Sequence, residues 1–120
     1  MSRDASITLP WADGNHTFRL AWDGLIKLQE ARDAGPLVVL KRLATDDCLV
    51  EDISHTIRLG LIGGGMEPPK ALQMVRDYVE SRPPIENRML AYGILAIAWH
   101  GPEDENVGKR QRRRSKKPSA

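Results

Sequence analysis

A catalytic or metal site needs Cys, His, Asp or Glu gathered at defined spacings, and this chain scatters them. Cys48 stands alone, and His16, His55 and His100 have no Cys or carboxylate at ligand spacing to either side. Glu51 and Asp52 fall where the first turn of a helix is expected, and negative charge is favoured there by the helix dipole. Glu103, Asp104 and Glu105 read as a solvated acidic patch. No nucleophile, acid–base pair, cofactor site or metal site is expected, and the chain does not read as an enzyme.

Two other groups could do chemistry of a binding kind. The first is GLIGGGMEPPK, residues 60–70, which lacks the Lys-Ser or Lys-Thr pair of a phosphate-binding loop and follows a helical pattern where such loops follow a strand. It reads as a hinge between helices. Glycine also lets another backbone approach closely, so Gly60, Gly63, Gly64 and Gly65, with Met66 and Pro68, are candidate partner contacts, although hairpin geometry is the plainer account. The second is the basic run Lys109, Arg110, Arg112, Arg113, Arg114, Lys116 and Lys117, seven positive charges in nine residues. Such a run can hold nucleic acid or another polyanion through salt-sensitive phosphate contacts. With no aromatic residue interleaved and no recognition fold before it, a solubilising tail is the plainer reading.

The elements that must position these residues follow from periodicity. Residues 6–20 alternate as a β-hairpin with Asp13-Gly14 as its turn, pairing Trp11 with His16, Leu9 with Phe18 and Ile7 with Leu20. Pro10, with no amide hydrogen, then falls in a hydrogen-bonded pair, which predicts a bulge or a longer loop. A first helix is expected over 22–34, with Asp23 as a possible cap and Gly35-Pro36 as stop and restart. A second short helix carries Leu37, Leu40 and Leu43, and Thr45-Asp46-Asp47 offers a cap for the third. The third places Ile53, Ile57 and Leu61 on one face and stops at the glycines, which tolerate the left-handed conformation of a C-cap. The fourth restarts at Pro68 with Leu72, Val75 and Val79 and runs to Arg82, where Pro83-Pro84 ends it. The last, from Ile85 to Trp99, is apolar around most of its circumference and reads as a central, buried spine. Trp11, Trp22 and Trp99 are each expected in the core, although tryptophan's enrichment at hot spots leaves room for one on a partner surface.

The fold class is therefore α+β, mainly α: an N-terminal β-hairpin packed on a bundle of about five helices. Residues 1–5 read as a flexible N-terminus, 6–102 as one domain and 103–120 as a disordered basic tail. With 120 residues and 41% of them apolar, the chain suffices for one core. Its formal charge is +2, and setting aside the seven basic residues beyond 108 leaves a body with five net negative charges. A lone cysteine excludes an intramolecular disulfide, and no apolar run is long enough to span a bilayer, so a soluble, cytoplasmic protein without membrane contact is expected. The apolar stripes of the second and fourth helices could face the core or a second copy, which leaves a homo-oligomer open.

The run IRLGLIGGGM, the helix that follows it through SRP, and ILAIAWHGPEDE closely resemble the small tail-gene family of gene transfer agents, phage-like particles of alphaproteobacteria. WADGNHTFRL and LQEARDAGP look like that family's hairpin and first helix, and the resemblance covers about residues 7–105. It implies a non-enzymatic role in building a siphophage-type tail. Members are classed with tail assembly chaperones and have also been labelled tail tube proteins; the implied partners are the tape measure and major tail tube proteins of the same gene cluster. The chaperone reading is preferred because tube subunits close rings through extensive sheet. The basic run lies outside the resemblance.

Overall fold

Proline and glycine set where most elements of this chain begin and end. The computed structural model describes residues 5–101. Strands β1 (Ile7–Trp11) and β2 (Gly14–Phe18) form an antiparallel hairpin, followed by α1 (Trp22–Arg32), α2 (Pro36–Leu43), α3 (Val50–Gly63), α4 (Pro68–Tyr78) and α5 (Ile85–His100). This is the expected hairpin on five helices. The flexible N-terminus expected over residues 1–5, apart from Ala5, and the basic tail expected over 103–120 lie outside the described residues.

The hairpin register differs from the expected one by two residues. Trp11 pairs with Gly14, Leu9 with His16 and Ile7 with Phe18, so the turn residues are Ala12 and Asp13, and Ala12 takes a φ of 59°. Pro10 explains the shift. In a two-residue hairpin the pair flanking the turn is hydrogen-bonded and pairs then alternate, so Pro10 opposite Asn15 falls in a non-hydrogen-bonded pair that asks no donor of it. No bulge is needed. The slip of two residues keeps Ile7, Leu9, Trp11, His16 and Phe18 on one face, because side chains alternate with period two. On the other face the Thr8 and Thr17 hydroxyls meet at 2.7 Å.

Several helix boundaries move for identifiable reasons. α1 stops at Asp33, in the left-handed region at φ 52°, and Gly35 instead precedes α2 as its N-cap. Ala21 is the residue before α1 and makes no side-chain cap, while the Asp23 carboxylate accepts the Gly24 amide. α3 is capped from within, not by residues 45–47: its first-turn Asp52 carboxylate accepts the amide of Leu49 at 2.9 Å. α4 ends at Tyr78, before Arg82, because Ser81 and Asn87 side chains donate to the carbonyls of Asp77 and Tyr78. Inward faces shift as well. Val39 is buried in α2 while Leu37 is exposed, and Ala71 and Met74 are buried in α4 while Leu72 is exposed.

The central helix is α3. It packs against α1, α2, α4, α5 and β2, and it buries Ile53, Ile57, Leu59 and Leu61. Full burial of an aliphatic side chain is worth roughly 1.5–3 kcal/mol, so this cluster with Phe18, Leu28, Leu43, Ile94 and Leu95 carries most of the stability. α5 is not the buried spine its composition suggested. It buries Ala91, Ile94 and Leu95 against α3 and α2 and leaves Ile85 and Met89 about two-thirds exposed, at 67% and 66%.

Candidate partner-binding surface

Two polar devices fix the frame on which the surface sits. Asp52, fully buried at the start of α3, receives Arg32 Nε from the end of α1 at 2.9 Å. From the end of α2 it also receives Arg42 Nε at 3.1 Å and Nη2 at 3.0 Å. Burial pushes this carboxyl up, but the Arg42 and Arg32 hydrogen bonds and the Leu49 amide outweigh it and hold the pKa below the ordinary value. One carboxylate thus ties three helices together. The second device joins hairpin to bundle: Trp11 Nε1 donates to Asn87 Oδ1 at 2.8 Å, and Asn87 Nδ2 donates to the Tyr78 carbonyl at 2.9 Å. Trp11 also meets Phe18 and Tyr78 edge to face, with ring centroids 5.7 and 6.0 Å apart.

The candidate glycines divide in two. A Cβ on Gly63 or Gly64 would overlap the backbone carbonyl oxygen of Arg19 or Thr17, and one on Gly60 would sit 3.1 Å from Ile94. These three glycines let the end of α3 lie directly on β2, where the Arg19 amide also donates to the Gly60 carbonyl at 2.9 Å. Their close approach is to this chain's own strand. Gly65, at φ 115°, supplies the left-handed residue of the turn, and with Met66 it borders a shallow hollow beside His16 and Lys70. Pro68 opens α4. Lys109, Arg110, Arg112, Arg113, Arg114, Lys116 and Lys117 lie outside the described residues.

What remains open is apolar and lies elsewhere. Trp22 is 80% exposed, and with Ile26 one turn on, Leu25, Pro36 and Trp99 it lines a groove of about 320 Å³ between α1, α2 and α5. A second trough, about 480 Å³, runs from Val50 and Ile53 to Val79 and Pro84, with Glu51, Glu80 and Arg82 on its rim. Of the three tryptophans only Trp11 packs on the core; Trp22 and Trp99 do not take the buried positions expected of them. The signal was present in α1, where Trp22 and Ile26 form an apolar stripe beside the one that buries Leu28.

Burial, and then the charge of Asp52, push the Cys48 thiol above its ordinary value, and its Sγ donates to the Leu49 carbonyl at 3.6 Å. Among the described residues no three His, Cys, Asp or Glu are placed to hold a metal ion, and no helix is long and apolar enough to cross a membrane.

Among known proteins, residues 4–101 match the family model described as phage tail tube protein, GTA-gp10. No curated protein and no solved structure matches the chain. The match takes in the hairpin, all five helices and both grooves, and the chain belongs to the GTA-gp10 family of phage tail proteins.

Proposed function

We propose that this protein is a tail assembly chaperone, binding apolar helical segments of the tape measure protein, the major tail tube protein or both while the tail is built, and leaving afterwards. Its family gives it a structural or assembly role in a phage-type tail. The observation that carries the chaperone reading is the open groove of Trp22, Ile26 and Trp99 on a rigid helical frame, the kind of site that takes the apolar face of a partner helix. The meagre sheet supports the same reading. Two short strands offer little to close a ring, and the free edge of β1 carries Pro10, which removes a donor from the position where another strand would pair.

The test is co-expression with the tape measure and major tail tube proteins of the same gene cluster, with soluble yield recorded for the native chain and for Trp22→Ser/Ile26→Ser. The expected result is soluble tape measure that co-purifies with the native chain and precipitates with the variant. The family description also favours a second reading, a subunit retained in the tube. That reading expects the chain at a fixed ratio in finished particles, and no effect of the chain on tape measure solubility.

A further inference from the structure

The trough at the start of α3 differs from the Trp22 groove in its charges. No charged residue lines the Trp22 groove. The trough of about 480 Å³ shares Val50, Ile53 and Pro84 with a smaller hollow of about 270 Å³, so the two make one continuous depression where α3 and α5 begin and α4 has ended. Ile53 and Val79 are 3% and 6% exposed and form its apolar floor, while Val50 and Ile85 stand 62% and 67% exposed above it. Apolar side chains clustered in a hollow with a charged rim mark a contact surface.

The rim carries carboxylates from three elements: Asp46 from the α2–α3 connection, Glu51 from α3 and Glu80 from the residues after α4. Among the described residues neither Asp46 nor Glu80 forms an ion pair, and Glu51, paired with Arg32, keeps 66% of its side chain exposed. The two arginines of the lining already have partners. Arg82 lies 3.7 Å from Glu86 and over the Tyr78 ring, and Arg88 donates to the carbonyls of Leu43 and Thr45. The charged groups left without a partner are therefore carboxylates. No strand edge borders the depression among the described residues, and the helix ends there are closed: the Asp52 carboxylate accepts the Leu49 amide, and Ser81 and Asn87 donate to the carbonyls of Asp77 and Tyr78. An extended peptide would find no strand to pair with, whereas a helix satisfies its own backbone.

We propose that this depression is a second docking site, for an amphipathic helix of a protein partner whose apolar stripe is flanked by Lys or Arg. Leucine-sized side chains one turn apart enter beside Val50 and Ile85, and the flanking cations reach Asp46, Glu51 and Glu80. A second copy of this chain fits poorly face to face, because a two-fold contact of this rim with itself sets carboxylates against carboxylates. The site is separate from the Trp22 groove, and its selection of a cationic helix is independent of whether the protein is a chaperone or a tube component.

The probe is a capped peptide of about 18 residues, long enough to hold a helix, with leucine along one face and lysine beside it. It is titrated calorimetrically into the full chain next to the same peptide with glutamate for lysine. The lysine peptide is expected to bind about tenfold or more tighter than the glutamate peptide, and to lose about tenfold in Val50→Ser/Ile85→Ser and in Asp46→Lys/Glu80→Lys. In the charge-reversed variant the preference between the two peptides inverts. Trp22→Ser/Ile26→Ser keeps the binding, which separates this site from the Trp22 groove. Circular dichroism checks that every variant retains its helix content and melting. No binding, equal binding of the two peptides, or binding that survives the trough substitutions and is lost in Trp22→Ser/Ile26→Ser overturns the site. So does binding that appears only once residues 108–120 are removed, which gives the depression to the chain's own basic run, or a native dimer that the trough substitutions break, which gives it to a second copy.

Discussion

The end of α3 and the outer face of α5 are both helical surfaces that carry glycine, and they differ in what stands opposite. Against Gly63 and Gly64 lies the backbone of β2, so close that any side chain would collide with a carbonyl oxygen. Against Gly93 there is open space. The same residue type serves an internal contact in one case and leaves room outside the chain in the other. Trp11 and Trp22 make the same contrast: Trp11 is hydrogen-bonded to Asn87 and packed on Phe18, and Trp22 is 80% exposed at the rim of a groove. The closed half of the molecule holds the fold together, and the open half leaves apolar side chains uncovered.

Breaking the closed half should be costly. Asp52→Ala leaves two arginines facing a buried site without their carboxylate and is expected to lose about 3–5 kcal/mol in urea unfolding. Gly64→Ala forces α3 away from β2, with an expected loss of about 3 kcal/mol. Trp11→Phe strips the donor from Asn87 Oδ1 and should cost about 1–3 kcal/mol. The open half should behave in the opposite way. Trp22→Ser is expected to change stability by no more than about 0.5 kcal/mol while removing tail-partner binding. Gly93→Ala should stabilise the fold by about 0.5–1 kcal/mol. A large loss for Trp22→Ser would erase the contrast.

Acidity separates the halves too. The Asp52 pKa is held below 3.8 in the folded chain, so the stability it contributes is fully present above that value and is lost as pH falls through the lower folded pKa. The acid limb of a stability profile should therefore flatten in Asp52→Asn. If its slope below about pH 4 matches the native chain's, the carboxylate is not what joins the three helices.

Helix order, the hairpin and the restart at Pro68 were legible in the sequence because each rests on local chemistry: Gly65 for a positive φ, Pro36 and Pro68 for first turns, and a period of 3.6 in Ile53, Ile57 and Leu61. Register was not legible from the turn dipeptide alone. Asp13-Gly14 is the stronger turn signal, but Pro10 rules out the pairing it would set, and the chain turns at Ala12-Asp13 instead. The Asp52 cluster was out of reach, because Arg32 and Arg42 come to it over 20 and 10 residues through the packing of α1 and α2. The open groove was missed for a different reason. Composition places tryptophan in the core by default, and only the packed arrangement shows that Trp22 and Trp99 converge at its rim.

The central claim is that the open apolar surface serves a partner during assembly and is then vacated. Quantitative mass spectrometry of purified particles, scaled to the major tail tube protein, tests it most directly. This chain is expected to be absent or far below one copy per tube ring in finished particles, and present with tape measure in lysates blocked before tube polymerisation. A fixed, ring-like ratio to the tube protein in mature tails would contradict it and make the chain a component of the tube.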